Sequence, residues 1–322
     1  MQRLIELPTG AGKTKRCLDL LGEARHILVI VPKLVLIKTW QDEIGKWGHD
    51  HRFFVFSTYQ GLEKNVGSYD AIVCDECHHV TERVAFLLKR CEAKDWYFLS
   101  ATVPWQARRR IEFVCPQLQV ERKRLKDAIG EGKLPMPKMI YIPLKASDEE
   151  MGFYRKMSQD VETKKNAYFY SKEQWRKTAW LKAAGDRLKW LSREKEEAVM
   201  RVMQHYAGMK TLTFCCDIPQ TERLGEACIH SKKKRDTNND CLKQFDNGTI
   251  KHLAACATLD EGVNLTGCQV GIFAYLGASE LKQVQRIGRI LRHPEPVILV
   301  PYYMGTREEE IVKKLKDNLQ VG

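Results

Sequence analysis

With 322 residues the chain is long enough for two domains of roughly 100–200 residues each, and for two buried cores that need no disulfide or metal staple. Its 53 Lys plus Arg against 41 Asp plus Glu leave a formal net charge of +12, which favours a polyanionic partner, either nucleic acid or an anionic membrane surface. No stretch approaches the ~20 apolar residues of a membrane-spanning helix, and eleven cysteines without framework spacing fit reduced thiols rather than a disulfide scaffold.

Residues 1–7 are too short for the hydrophobic region of a signal peptide, so a cytoplasmic location is expected (host cytoplasm if the chain is viral). Through the first 120 residues, short apolar runs at 4–7, 27–31, 53–56, 71–74 and 97–99 alternate with helical patterns such as 34–46 and 81–91. The runs lack polar alternation, as strands covered on both faces of a parallel sheet do. This predicts a doubly wound α/β lobe over residues 1–120.

Residues 121–146 are rich in Gly and Pro and open with a basic run, which predicts a linker leading into a short strand at 139–144. Residues 147–196 read as an all-helical insertion. The α/β alternation then resumes over 197–322, with strands near 211–215, 253–257, 270–274 and 297–300, a helix at 221–228 and a closing helix at 307–319.

Pro8-Thr9-Gly10-Ala11-Gly12-Lys13-Thr14 follows the first strand directly and precedes an amphipathic helix. Glycines let backbone N–H groups wrap phosphates, and a helix N-terminus adds partial positive charge. Thr9, Gly10, Ala11 and Gly12 would form the cradle, Lys13 would reach the β- and γ-phosphates, and the Thr14 hydroxyl would hold Mg²⁺. The segment lacks the first glycine of the full phosphate-loop pattern.

The 71–74 run ends in Asp75-Glu76-Cys77-His78. Ligands of parallel α/β sheets bind at the carboxyl ends of the strands, which brings these carboxylates to the phosphate cradle. Asp75 can hold Mg²⁺ through its waters, and Glu76 can orient and deprotonate an attacking water. Cys74, Cys77, His78 and His79 also invite a zinc reading. A structural zinc site needs four converging ligands, and no second Cys or His pair has matching spacing, so zinc is rejected.

At this point the sequence resembles the superfamily 2 helicases, specifically a DExH-type member reading DECH, over nearly the whole chain and in the family's motif order. After the phosphate loop (motif I) come Val31-Pro32-Lys33 (Ia), Ser57-Thr58-Tyr59-Gln60 (Ib), the DECH box (II) and Ser100-Ala101-Thr102 (III). Thr211-Leu212-Thr213-Phe214 stands at motif IV, and Ala257-Thr258-Leu259-Asp260-Glu261-Gly262-Val263-Asn264-Leu265 is similar to motif V. Gln285-Arg286-Ile287-Gly288-Arg289-Ile290-Leu291-Arg292 matches motif VI.

The resemblance implies two RecA-like lobes with a helical insertion, and ATP with Mg²⁺ as cofactors. It implies Arg289 and Arg292 as arginine fingers facing the γ-phosphate across a cleft, and Gly262 and Gln285 at the nucleotide. It further implies His78, Ser100 and Thr102 as coupling residues, and Lys33, Thr58 and Thr258 at the nucleic acid. On its own pattern, the motif VI helix carries Gln285, Arg289 and Arg292 at i, i+4 and i+7 on one face, with Leu281, Val284, Gly288 and Leu291 on another.

The sequence is similar to DNA translocases and branched-DNA helicases, compact phage members included, more than to DEAD-box RNA helicases. DECH replaces DEAD, Gln-Arg replaces His-Arg in motif VI, and only seven residues precede the loop where an adenine-reading glutamine motif would lie. DNA is therefore the expected track, no membrane is expected, and the chain is read as a monomer that a protein partner could recruit. Hydrolysis of other NTPs, an RNA helicase, a non-motor P-loop switch and a binding protein with silent chemistry remain as rivals. Residues 151–190 hold ten Lys or Arg against four Asp or Glu, with eight aromatics interleaved. Such a stretch is either a strand contact or helical core with a solvated basic face.

Overall fold

The computed structural model describes residues 1–225, 227–256, 267–277 and 279–319, and divides into two units, Met1–Leu134 and Pro135–Gln320. The first unit contains β1 (Gln2–Glu6), α1 (Lys13–Leu21), β2 (Ile27–Val31), α2 (Val35–Lys46), β3 (Phe54–Thr58), β4 (Ser68–Cys74), α3 (Glu82–Lys89), β5 (Glu92–Ser100), α4 (Trp105–Val114), β6 (Gln119–Arg122) and α5 (Leu125–Gly130). Its six strands are parallel, in the order β3-β2-β4-β5-β1-β6.

The alternation of side chains along each strand splits the core into two layers. Leu4, Leu28, Ile30, Ile72 and Cys74 pack on one face against α3 and α4, and Ile5, Ile27, Val29, Val31, Ala71 and Val73 pack on the other against α1 and α2. Both faces being covered is why the runs are apolar without alternation. Thr81 caps α3 by accepting from the Val84 N–H at 3.3 Å.

The second unit contains β7 (Lys138–Leu144), α6 (Asp148–Ser171), α7 (Gln174–Glu194), α8 (Glu196–His205), β8 (Thr211–Phe214), α9 (Ile218–Leu224), β9 (Ala227–Ile229), α10 (Arg235–Asp246), β10 (His252–Ala255), β11 (Val270–Phe273), α11 (Glu280–Ile290), β12 (Val297–Tyr303) and α12 (Arg307–Leu319). The sheet order is β7-β12-β11-β8-β10-β9, again parallel in every pairing.

Several elements differ from the sequence reading. The stretch read as a linker at 121–146 supplies the end of β6 and all of α5 to the first unit, while the strand expected at its end, 139–144, is β7 of the second sheet. The helix read at 221–228 begins earlier, because Asp217 caps it and Pro219 occupies its first turn, and it gives way to β9. The helical insertion is an antiparallel hairpin of α6 and α7 followed by α8, opened by a capping box between Ser147 and Glu150. Among the described residues no helix is long and apolar enough to cross a membrane.

Candidate nucleotide site

The site is built at the carboxyl edge of the first sheet. β1 lies beside β5 with Glu6 opposite Ser100, and β4 lies on the far side of β5 with Cys74 opposite Phe98. Three loops therefore leave the same edge: 7–12 after β1, the acidic turn after β4 and Ser100-Ala101-Thr102 after β5. That juxtaposition follows from strand order, which no local pattern encodes.

Gly10 and Gly12 have φ of 87° and 80°, the left-handed region that a side chain disfavours, and Lys13 and Thr14 open α1 immediately afterwards. Cys17, Leu18 and Leu21 anchor that helix in the core. Thr9 and Ala11 are half-buried, while Gly10 and Gly12 are exposed. The Lys13 ammonium donates to the Leu7 carbonyl at 3.1 Å, and the Leu7 N–H donates to the Ser100 carbonyl at 3.1 Å, which ties the loop to β5.

Asp75 is held on three sides. Trp40 Nε1 donates to Asp75 Oδ2 at 2.9 Å, the Glu76 N–H donates to Oδ1 at 2.9 Å, and the Tyr59 hydroxyl donates to the Asp75 carbonyl at 2.7 Å. Burial, and next the Glu76 charge, push the Asp75 carboxyl up to about 6, against the opposing pull of the Trp40 N–H and the Lys13 ammonium. A carboxylate this costly to ionise gains from a cation beside it.

Glu76 has φ 47° and ψ 53°, a left-handed conformation for a non-glycine residue. Such strain persists only where the surroundings over-determine it, and it turns the Glu76 carboxylate toward His78 and Ser100. His78 Nδ1 lies 3.4 Å from Glu76 Oε2 and 3.0 Å from Ser100 Oγ. The Ser100 hydroxyl donates to the Thr102 carbonyl at 2.8 Å, so toward His78 it acts as acceptor, with the imidazole proton on Nδ1. Glu6 completes the edge, accepting from the Val103 N–H at 3.0 Å and pairing with Arg122 at 2.6 Å. Thr102 Oγ1 is buried with no hydrogen-bond partner among the described residues.

Trp40, Tyr59 and Glu6 are therefore structural supports of the site that the sequence reading did not single out. Tyr59 lay inside a quoted motif, but Trp40 sits mid-helix among residues that read as core. Cys74 and Cys77 belong to the apolar cluster, and burial pushes both thiols well above their usual range. Lys33 follows β2 and is exposed, and Thr58 ends β3, its hydroxyl accepting from the Gly61 N–H at 3.1 Å. Both stand at the same carboxyl edge, because Val31 is opposite Thr58.

In the second unit α11 carries Gln285 and Arg289, both buried. Gln285 Nε2 has no hydrogen-bond partner among the described residues. Residues 285–291 are all buried, and α11 ends at Ile290. Arg292 lies in the turn that follows, where it is exposed. Arg286, not singled out from sequence, is buried with its guanidinium 4.5 Å from the centre of the Tyr275 ring and 5.5 Å from that of Phe214, and it donates to the Tyr275 hydroxyl. Thr258 and Gly262 lie outside the described residues.

For a hydrated Mg²⁺, which keeps several waters and takes one or two carboxylates plus substrate phosphates, the donor set of Thr14 and Asp75 fits. Among the described residues there is no cluster of three or more His, Cys, Asp or Glu able to hold a metal by themselves.

Residues 2–104 match the model of the type III restriction enzyme res subunit, and residues 185–294 match that of the helicase conserved C-terminal domain. The chain is similar to a DNA 3'-5' translocase, XPB2, of Sulfurisphaera tokodaii, at 24% identity over 98% of this chain and 80% of that protein. Among solved structures it is similar to the Pyrococcus furiosus Hef helicase domain, with a TM-score of 0.57 at 14% identity, covering 98% of this chain and 95% of that one. It is also similar to S. cerevisiae Dbp5 bound to RNA and ADP BeF3, with a TM-score of 0.66 at 11% identity, covering 100% of this chain and 84% of that one. At these identities the structures establish the fold, two RecA-like units.

Proposed function

The chain belongs to superfamily 2 of the helicases and is an ATP-hydrolysing enzyme, and from that premise we infer that it is a DNA translocase that opens or remodels branched or partly single-stranded substrates. The observation that carries the chemistry is the carboxyl edge of the first sheet, where Lys13, Asp75 and a strained Glu76 meet at the ends of β1 and β4.

In this reading the backbone N–H groups of Thr9, Gly10, Ala11 and Gly12 cradle the phosphates, and Lys13 leaves the Leu7 carbonyl for the β- and γ-oxygens. Thr14 and Asp75 would hold Mg²⁺, which supplies charge neutralisation at the phosphates. Glu76 takes the proton of the attacking water. His78 lies against the Glu76 carboxylate and donates to the Ser100 hydroxyl, which donates on to the Thr102 carbonyl, so a change at Glu76 reaches Thr102 through His78 and Ser100. Arg289 is assigned to the charge that develops on the transferred phosphoryl group, with Arg292 as a second candidate and Gln285 and Gly262 at the nucleotide. Lys33, Thr58 and Thr258 are assigned to the nucleic-acid strand. The basic surplus and the kinship with a DNA translocase favour DNA as the track. The protein works as a monomer in this reading.

The test is ATP hydrolysis alone and with single-stranded DNA, single-stranded RNA, duplex and forked DNA. Stimulation by DNA, and its loss in Lys13→Ala and Glu76→Gln, are expected. Stimulation by RNA alone would replace DNA as the track, and a rate indifferent to all four would point to a non-motor switch.

A further inference from the structure

Eight aromatic side chains lie on the α6–α7 hairpin, and the structure sorts them into two sets. Tyr154 and Trp190, joined by Phe153, sit near the base, where Tyr154, Leu191 and Tyr303 form a core cluster. There the Tyr154 hydroxyl accepts from the Arg307 N–H at 2.8 Å, and the Tyr303 hydroxyl donates to the Glu194 carbonyl at 3.1 Å. Tyr154 and Tyr303 are core and Trp190 packs against them, while Phe153 is half-exposed at the edge of the cluster.

The distal set is different. On α6 the buried residues are Tyr154 and Val161, and on α7 they are Ala183, Arg187, Leu191 and Ser192, so residues 162–182 bury no side chain. At about 1.5 Å of rise per residue, Tyr170 stands roughly 24 Å along the helix from Tyr154. The turn is short, Lys172 and Glu173 only, with Lys172 left-handed at φ 59°. Tyr168, Phe169 and Trp180 form a ring cluster across the two helices, with centroids 5.4–5.9 Å apart and Lys172 4.3 Å over Phe169. Beyond this cluster project Tyr170, 94% exposed, and Trp175, 62% exposed.

Large rings held in water by a rigid hairpin cost solvation and contribute nothing to the core, so they point to an occupant. Within 164–182 lie six Lys or Arg and one Glu; Lys164, Lys165 and Arg176 are ion-paired with Asp160, Glu162 and Glu173, and Lys172, Lys177 and Lys182 carry the surplus that matches a polyanion. A polyanion whose units also offer flat faces is a nucleic-acid strand with unpaired bases.

We propose that the tip of the α6–α7 hairpin binds an unpaired nucleic-acid strand, with Tyr170 and Trp175 stacking on bases and Lys172, Lys177 and Lys182 neutralising the flanking phosphates. The inference rests on the translocase reading and extends it to the segment that distinguishes unpaired from paired substrate. A fully paired duplex hides its base faces, so the tip favours forks, gaps and single strands.

The experiment measures fluorescence anisotropy of the full chain on labelled single-stranded DNA and RNA, a blunt duplex, and a single strand of equal length carrying abasic sites. Tyr170→Ala/Trp175→Ala weakens single-strand binding by roughly tenfold or more, since each lost stack is a large fraction of that factor. Tyr170→Phe/Trp175→Phe restores most of it. On the abasic strand the wild type and the alanine variant bind alike, because the stacking partner is missing from the other side. Binding to the blunt duplex, the melting temperature and ATP hydrolysis without nucleic acid stay unchanged. An equal loss on intact and abasic strands, or no loss on either, overturns the stacking assignment. A wild-type chain that binds with this abasic signature yet shows no nucleic-acid-stimulated hydrolysis would sink the motor reading while leaving the tip assignment standing.

Discussion

The two units bury polar side chains for different ends. In the first, Glu6, Asp75 and Ser100 are buried at the carboxyl edge of the sheet, tied to loops that carry Lys13, Glu76 and His78. In the second, the most deeply buried ion pair among the described residues, Lys195 with Glu308 at 2.6 Å, is 0% and 1% exposed and joins the end of the α6–α7 hairpin to α12. Lys195 also donates to the Pro301 carbonyl, and Glu308 accepts from the Tyr303 N–H, so the pair is hydrogen-bonded into β12. Buried charge at a strand edge is available to a substrate, whereas buried charge between a helix and a strand serves geometry. Burial of polarity therefore identifies chemistry only together with its place on the sheet.

The sharpest way to break this contrast is Glu76→Gln. If the first-unit cluster is chemical, ATP hydrolysis falls by about 10²–10⁴-fold, the usual scale for removing a general base, while the urea midpoint barely moves. A large stability loss with modest loss of activity would make the cluster structural instead. The opposite pattern is expected for Lys195→Met, which strands a buried carboxylate and costs about 3–5 kcal/mol in urea unfolding. Adding Glu308→Leu should recover much of that loss. If the single change is neutral, the pair does not anchor the hairpin.

A third measurement sharpens the structural side. Burial depresses the His252 imidazole to about 4 from 6.5, and its Nε2 lies 3.0 Å from Thr213 Oγ1 across β8 and β10. The unfolded chain takes up that proton near 6.5 and the folded chain only near 4, so stability is intact above pH 6.5 and declines as pH falls through that window. The loss should reach roughly 2–3 kcal/mol by pH 4, and His252→Gln should abolish this part of the acid sensitivity in a series of unfolding curves. The smallest effect expected is at Trp40→Phe. Removing the N–H that holds Asp75 Oδ2 should raise the Mg²⁺ concentration for half-maximal hydrolysis by about tenfold, and an unchanged requirement would show that the tryptophan is only core.

Local signals were strong where chemistry is written in consecutive residues. The phosphate loop, the acidic pair and the apolar strand runs were legible because glycine geometry, strand ends and two-sided burial each leave a short pattern. Strands were placed within a few residues, the 139–144 strand (β7) included, but β9 fell at the end of a stretch read as helix and β6 was passed over. β6 and β9 are edge strands of only four and three residues, too short to leave a pattern of their own. The motif VI pattern was read as a helix that carries Arg292, whereas α11 stops at Ile290 and leaves Arg292 exposed in the turn beyond it.

By itself the sequence determined the architecture class, the glycine loop that opens α1, the acidic turn and the presence of a helical segment between the two sheets, because each depends on residue spacing along the chain. The tertiary structure alone decided that Trp40 and Tyr59 hold Asp75, that Glu76 is strained toward His78 and Ser100, and that Arg286 packs on Tyr275. It also decided which aromatics are core and which stand in water. Those facts depend on strand order and on where a long hairpin leaves the sheet, and contacts between residues far apart in sequence carry no periodicity by which to read them.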